Sequence, residues 1–406
     1  MNIDNETNGS IKAAARAWFR PPRAHGDIDE DRTVSFLELF YDLVFVVLVA
    51  QLAHTLAAHP TWAGVRDFAI VFGLVWIAWL NGTLYHELHG GEDGRSRSYI
   101  FVQMSLLVLM SVFTAHAADD IADGRGFAIV YAVLLAFLAW QWFDVRRQDN
   151  AAMRAVAARY VLGIVAASGI VGASAIIDDT GQRLAVWAAV VAVFLVLGLV
   201  AGSTRVPELA DAFAVTESMA ERFGLFTIIV LGEVVVGVAD GLSEAERTSR
   251  TIITGLLALG IGFGIWWNYF DFVGRRQPRP GVGHRATWTL GHFPLAMSIA
   301  AAGAGMVSLI EHAADQRTPT GTAWLIGGAT AAAAVSLAIV ASTMTEHPGR
   351  RFVPYALVAA AGVSIGLAAL RPAPWVLALG IFGALTAVWA EAFVRHARLN
   401  LPLVEA

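Results

Sequence analysis

The chain has 406 residues, of which 57% are hydrophobic and only 15% are charged, and its mean hydropathy is +0.60. Soluble domains carry about 25% charged residues, so this composition excludes an ordinary soluble protein and indicates a chain that is solvated by lipid. The net charge of −5 indicates no particular partner, and the absence of cysteine excludes disulfides and thiolate metal sites.

The first predicted element is a polar tail, residues 1–32, which contains four Arg and one Lys. The tail has no apolar stretch of the signal-peptide type, so we expect it to be disordered or to lie on a surface, not to be cleaved. The first span then also serves as the insertion signal. A second polar tail is predicted for residues 398–406.

Twelve apolar stretches follow the tail, and each is long enough to cross a hydrocarbon layer of about 30 Å as a helix. The sequence therefore predicts an all-α, polytopic transmembrane bundle. We predict spans at about 34–57, 66–86, 98–118, 126–144, 158–177, 183–202, 220–240, 251–273, 286–311, 321–343, 353–370 and 373–395. The last two spans are separated only by the segment Arg371-Pro-Ala-Pro374.

The distribution of basic residues predicts the orientation of the spans. With the N-terminus inside, the inner loops and tails hold twenty Lys and Arg residues and the outer loops hold seven, and Arg222 lies at the start of a span. Cytoplasmic loops carry an excess of Lys and Arg. We therefore expect a multi-pass protein of the bacterial cytoplasmic (inner) membrane with both termini in the cytoplasm.

Similar residues recur at an offset of about half the chain, which predicts an internal repeat. The matched pairs are Glu38 with Glu221, Asn81 with Asn268, and Gln103 with His292, at offsets of 183, 187 and 189 residues. Tryptophans precede both asparagines, and we interpret them as interface anchors and packing residues; the alternative is that they stack on a ligand. Six spans per half with equal starting orientation give two parallel repeats, residues 33–202 and 203–397.

Several charged residues lie inside the predicted spans, where a carboxylate costs at least about 2.5–3.5 kcal/mol. Glu38 and Asp42 are four residues apart and share one helical face, so they repel each other unless one is protonated or a cation lies between them. Glu221 and Arg222 lie at the matching depth of span 7, and Glu233 lies near the midplane, roughly 16 Å beyond Arg222.

Further polar residues fall toward the cytoplasmic half of the predicted bundle: Asn81, Asn268, Asp271 and His292. Together with the charged residues they predict an inward-facing polar cavity that reaches the midplane at Glu233. Two structural alternatives remain open at this point. Glu38 or Asp42 pairs with Arg222 as a structural bridge, or a protonated Glu233 donates a hydrogen bond to a neighbouring span.

His86 and His89, with Glu87, Glu92 and Asp93 nearby, raise a metal hypothesis, because imidazole and carboxylate are metal ligands. The spacing is not H-E-x-x-H, and the pair abuts Gly90-Gly91 at a predicted membrane edge, so a solvated polar loop explains it equally well. No catalytic triad, P-loop or dinucleotide fingerprint is present in a fitting context. The sequence thus predicts no bound metal or cofactor and no nucleic-acid partner.

Two segments resemble the bacterial low temperature requirement A family. They are Val34-Ser-Phe-Leu-Glu38-Leu-Phe-Tyr-Asp42-Leu-Val-Phe-Val46 and Glu221-Arg-Phe-Gly-Leu-Phe-Thr-Ile-Ile-Val-Leu-Gly-Glu233. The segments Trp266 to Asp271 and Gly291 to Leu295 are similar to that family too. The resemblance extends over nearly the whole chain after residue 30. It implies a multi-pass bacterial membrane protein with a link to growth in the cold, and it implies no substrate.

The leading hypothesis for function is a proton- or ion-linked secondary transporter or permease, with a small solute or a cation as its partner besides the lipid bilayer. In this hypothesis Glu38, Asp42 and Glu233 bind protons or cations, and Arg222 is their counter-charge. The alternatives are a membrane-adaptation or sensory factor whose buried charges are structural, and an intramembrane metal-dependent enzyme.

Overall fold

The computed structural model describes residues 18–23, 34–91, 93–146, 151–203, 215–344 and 351–398. These residues form twelve long α-helices. The helices are α1 (Phe36–Ala58), α2 (Trp62–His89), α3 (Gly94–Thr114), α4 (Ile121–Val145), α5 (Ala151–Ala173), α6 (Thr180–Ser203), α7 (Glu217–Glu244), α8 (Ser249–Phe272), α9 (Val282–Glu311), α10 (Thr320–Ser342), α11 (Val353–Leu370) and α12 (Pro374–Arg398).

Each of the twelve helices contains a stretch that is long and apolar enough to cross a membrane, which confirms the predicted count and the all-α bundle. Many large apolar side chains are exposed on the helix surfaces, for example Val193, Val196 and Leu197 on α6. In a soluble protein such a surface would be a liability, whereas in a membrane protein it is the surface that contacts lipid.

Polar side chains at the helix starts satisfy backbone N–H groups that have no intrahelical partner. Asp93 accepts from the N–H of Ser96 at the start of α3, and Thr216 accepts from the N–H of Met219 at the start of α7. The short break between the last two helices is also present. There Arg371 ends α11 in the left-handed conformation with φ 51°, and Pro374 begins α12.

The chain divides into two compact units. Unit 1 consists of the described residues up to Phe45 together with Val75–Val190, and unit 2 consists of Val46–Leu74 together with the described residues from Val191 onward. In unit 1, α4 packs against both α3 and α5. In unit 2, α9 packs against α7 and α10, α11 packs against α10, and α12 packs against α8. The predicted parallel halves, 33–202 and 203–397, concern an internal repeat and stay a prediction.

Part of the predicted N-terminal tail lies on the protein. Residues 1–17 and 24–33 fall outside the described residues, as do 399–406 of the C-terminal tail. The backbone N–H of Arg23 donates to the carbonyl of His89 at 3.3 Å, and its guanidinium donates to the carbonyl of Glu87 at 2.8 Å. The guanidinium of Arg97 lies 5.2 Å from the ring centre of Trp18. This part of the tail therefore has defined contacts with the connection between α2 and α3.

Candidate functional site

Glu38, the first predicted site residue of unit 1, forms a capping box at the start of α1. The backbone N–H and the hydroxyl of Ser35 donate to Oε2 of Glu38 at 3.0 and 3.1 Å, and the N–H of Glu38 donates to the Ser35 hydroxyl at 3.3 Å. The side chain is buried. The Ser-x-x-Glu pattern of residues 35–38 is a sequence signature of this motif. The sequence therefore contained the signal for the capping role of Glu38, which was missed.

Asp42 lies one turn further along α1 and is completely buried. The indole N–H of Trp79 on α2 donates to Oδ1 of Asp42 at 2.9 Å. Trp76 and Trp79 are also fully buried, so these two tryptophans pack inside the protein and do not anchor it at a membrane interface. A tryptophan on the inside of the bundle has to place its N–H on an acceptor, and here the acceptor is a carboxylate.

Asn81 belongs to a buried group of uncharged polar side chains in unit 1. Its amide donates to the carbonyl of Ile77 at 2.7 Å, and its amide oxygen accepts a hydrogen bond from the hydroxyl of Tyr160 on α5. The amide of Gln103 donates to that of Gln141 at 2.9 Å, and both side chains are fully buried. The sequence did not single out Gln141 or Tyr160, although a lone polar residue in an apolar span is a signal for such a bond.

The histidine pair at the end of α2 does not lie in a solvated loop, so that interpretation is wrong. His86 and His89 both belong to α2 and are almost completely buried. Nδ1 of His89 lies 2.9 Å from the carbonyl of Arg23, to which only a protonated nitrogen can donate. Within the described ranges, no group of three or more His, Asp and Glu side chains has an arrangement that could hold a metal ion.

In unit 2, Glu233 lies at a close crossing of α7 and α9. A Cβ atom at Gly303 would lie 2.7 Å from the carbonyl oxygen of Glu233, and one at Gly237 would overlap the carbonyl oxygen of Gly303. The two backbones are therefore in direct contact, as small residues permit between membrane helices. The sequence did not single out these glycines, because Gly303 is 66 residues from Gly237 along the chain and only the fold pairs them.

The side chain of Glu233 is 5% exposed and is eleven residues, about 16 Å, from the C-terminal end of α7. Among the residues that the structure describes, it has no hydrogen-bond or salt-bridge partner. The hydrogen bond to a neighbouring span that the structural alternative requires is therefore not present in this part of the chain. A buried carboxylate without a donor is the costliest arrangement for such a group.

His292 on α9 has both ring nitrogens hydrogen-bonded inside unit 2. Nδ1 lies 2.7 Å from the carbonyl of Trp288, which can only accept, so Nδ1 carries the proton and donates. Nε2 lies 3.0 Å from the hydroxyl of Tyr269 on α8 and accepts from it when the imidazole is neutral. All three side chains are buried, and Tyr269 holds the nitrogen at which a second proton would bind.

Asn268 and Asp271 on α8 form hydrogen bonds with α12. The amide of Asn268 donates to the carbonyls of Gly264 and Leu385, at 2.8 and 3.1 Å. Oδ2 of Asp271 accepts from the indole N–H of Trp389 at 2.7 Å. Asn81 and Asn268 thus both donate to the carbonyl four residues earlier in their own helix.

Glu221 and Arg222 differ in burial although they are neighbours in sequence. Glu221 is exposed, whereas Arg222 is completely buried. The nine predicted site residues thus fall into the two units, with Glu38, Asp42 and Asn81 in unit 1 and the others in unit 2. No hydrogen bond joins Glu233 to Asn268, Asp271 or His292. The single inward-facing cavity stays a prediction.

Comparisons with known proteins give one family and one relative. Residues 33–390 match the family model described as bacterial low temperature requirement A protein. The uncharacterized protein RA0937 of Rhizobium meliloti (strain 1021) is 24% identical over 418 aligned residues, which cover 96% of this chain and 95% of the relative. No solved structure matches the chain significantly.

Proposed function

The chain belongs to the bacterial low temperature requirement A protein family, and we propose that it is a secondary transporter that couples a small solute to a proton or another cation. We further propose that it resides in the bacterial cytoplasmic membrane with both termini inside. The excess of Lys and Arg in alternate connections supports that orientation.

The observation that carries the proposal is that Glu233 is buried in mid-span and has no partner among the described residues. A carboxyl group near the middle of a span has to be protonated or bound to a cation, because an isolated charge there is too costly. Since no described donor or cationic side chain holds Glu233, it can exchange a proton or cation without breaking another contact of the protein. Proton-coupled transporters use intramembrane acidic residues in this way.

The His292–Tyr269 pair supports the same proposal from within unit 2. The neutral imidazole has one further proton-binding position, Nε2, and that position is occupied only by the Tyr269 hydroxyl. Protonation of Nε2 would force Tyr269 to give up its donor role there. The pair therefore links a proton to a local rearrangement between α8 and α9, as coupled transport requires.

The test is proton movement in reconstituted protein. We would load proteoliposomes with the pH-sensitive dye pyranine and impose Na⁺, K⁺ or Mg²⁺ gradients in turn. We expect at least one gradient to drive a dye response, and Glu233→Gln to reduce it at least about tenfold, as expected for loss of an essential group. Glu244→Gln is the matched control, because Glu244 is an exposed carboxylate at the end of the same helix.

A response that Glu233→Gln leaves unchanged would contradict the role of Glu233, and no response to any gradient would contradict the exchange of protons for one of these cations. Infrared difference spectra of the wild type and Glu233→Gln provide an independent readout. A carboxylic acid C=O band that changes with pH only in the wild type would support proton exchange at this residue.

A second candidate is a membrane-adaptation or sensory factor whose buried acids are structural. It is favoured by Glu38, Asp42 and Asp271, because each of these carboxylates accepts a hydrogen bond from a Ser or Trp within its own unit. This candidate predicts that Glu233→Gln leaves cold growth unchanged in a complementation assay, whereas Glu38→Ala lowers the protein level.

A further inference from the structure

A cavity of about 500 Å³ opens at the surface of unit 2, apart from Glu233 and His292. Its wall comes from the start of α2, the middle of α9 and the first half of α10, with Ile365 from α11. The volume lies within the range of about 300–1,000 Å³ that ligand sites occupy. The cavity is not fully enclosed, so its interior is accessible from outside unit 2.

The cavity wall is apolar and is widened by small residues. Large apolar contacts come from Phe68, Met297 and Trp324, while Gly328 and Ala332 leave space along α10. A Cβ atom at Gly328 would have no protein atom within 4 Å, so this glycine borders empty space. A cavity lined by apolar groups favours an apolar molecule over water.

The length and position of the cavity match one leaflet of a bilayer. Along α10 it extends from the first residue, Thr320, to Ala332, about 18 Å. The hydrocarbon of one leaflet is about 15 Å deep. Its outer end is marked by Trp62, which is 78% exposed, and by Thr61 and Thr320, whereas its inner end lies among residues in the middle of the spans.

We propose that this cavity is a binding site for one acyl chain of a membrane phospholipid. The chain lies along α10, and the ester oxygens lie at the mouth, where the hydroxyls of Thr61 and Thr320 and the indole of Trp62 suit the polar interface. Phospholipid surrounds the protein as its solvent, so this ligand is always present in large excess. The site involves neither Glu233 nor His292, so it is independent of the transport proposal.

The hydroxyl of Ser298, a buried residue, distinguishes an acyl chain from a ligand that carries a polar group. Ser298 is 4% exposed, borders the cavity about 20 Å from the end of α9, and has no hydrogen-bond partner among the described residues. An acyl chain makes no use of a hydroxyl at that depth. A lipid-soluble molecule with an acceptor oxygen would depend on it, since an unmade hydrogen bond is costly.

The experiment is photo-cross-linking in nanodiscs made with phosphatidylglycerol that carries a diazirine near the end of one acyl chain. We expect labelling of about one lipid per protein at α9 and α10 residues of the cavity, read by mass spectrometry. Gly328→Leu should reduce this labelling about tenfold, because its side chain displaces methylenes from the site. Gly366→Leu on the exposed side of α11 is the matched control, since a Cβ there also meets no protein atom.

Two further variants complete the test. Ala332→Leu narrows the cavity from its exposed side and should reduce labelling as well, which keeps the test valid should Gly328→Leu fail to fold. Ser298→Ala should leave labelling within about twofold of the wild type. Equal labelling in Gly328→Leu and Gly366→Leu would overturn the proposal, and so would a loss of labelling in Ser298→Ala, because an acyl chain makes no hydrogen bond with that hydroxyl.

Discussion

The start of α1 and the middle of α7 both contain buried acidic side chains, but the hydrogen bonds that these side chains accept differ. In α1, Glu38 accepts hydrogen bonds from Ser35 and Asp42 accepts one from Trp79. In α7, Glu233 accepts none from the described residues. The first backbone N–H groups of a helix have no intrahelical partner and can donate to a carboxylate. In the middle of a helix every backbone N–H is already hydrogen-bonded, so a carboxylate there needs a donor from a neighbouring side chain. Burial alone thus does not distinguish the two kinds of acid; the presence or absence of a donor among the described residues does.

The largest effect on stability is expected at the glycine crossing that surrounds Glu233. Gly237→Ala places a methyl group against the carbonyl oxygen of Gly303, so the two helices have to separate. We expect a loss of about 2–3 kcal/mol of unfolding free energy, as for other overpacked sites. The measurement is thermal unfolding in detergent. Gly232→Ala is the control, because a Cβ there meets no protein atom; equal behaviour of the two variants would disprove the close crossing.

Removal of the acid from the α1 site should have the next largest effect. Asp42→Ala deprives the buried indole N–H of Trp79 of its acceptor, and we expect a loss of about 1–3 kcal/mol. Asp42→Asn retains an acceptor oxygen and should lose less. Both are measured by denaturation in detergent. If Asp42→Ala were as stable as the wild type, the contrast between α1 and α7 would no longer hold.

A smaller effect is expected for the capping box. Glu38→Ala removes the acceptor of the Ser35 N–H and should destabilise the start of α1 by about 1 kcal/mol. Glu38→Gln keeps an acceptor at the same place and should recover most of the stability. Hydrogen exchange of the Ser35 amide reads the bond directly, and exchange that is unchanged in Glu38→Ala would rule out this role.

The smallest effect is expected at a carboxylate in contact with water. The backbone N–H groups of Asp123 and Ala122 donate to Asp120 and lower the pKa of its carboxyl below the ordinary value. Its stabilisation of the start of α4 is therefore complete above the ordinary aspartate pKa and is lost as the pH falls through the lowered pKa. Intrinsic amide exchange is itself slower near pH 3 than near pH 6, so the two conditions are compared through protection factors, and the protection of these two amides should be lower at about pH 3 than at about pH 6. Asp120→Asn should abolish that pH dependence, and its persistence in this variant would contradict the assignment.

Local information in the sequence predicted the helices, and it also contained one contact of the candidate site that the sequence analysis missed. Apolar length predicted twelve spans, and the break at Arg371–Pro374 was correct although only four residues mark it. The Ser35–Glu38 capping box is equally local, since its two residues are one turn apart. The partner of Asp42 is not local: Trp79 lies 37 residues away, on the next helix, and no periodicity pairs the two.

The sequence by itself determined that this protein is a helical membrane protein of the low temperature requirement A family, because hydrophobic length and family motifs are properties of contiguous residues. Only the tertiary structure decided which buried acids have donors, where α7 and α9 touch, and that a cavity lies along α10. These features depend on which helix faces meet, and side chains from several helices, far apart in the chain, together determine them.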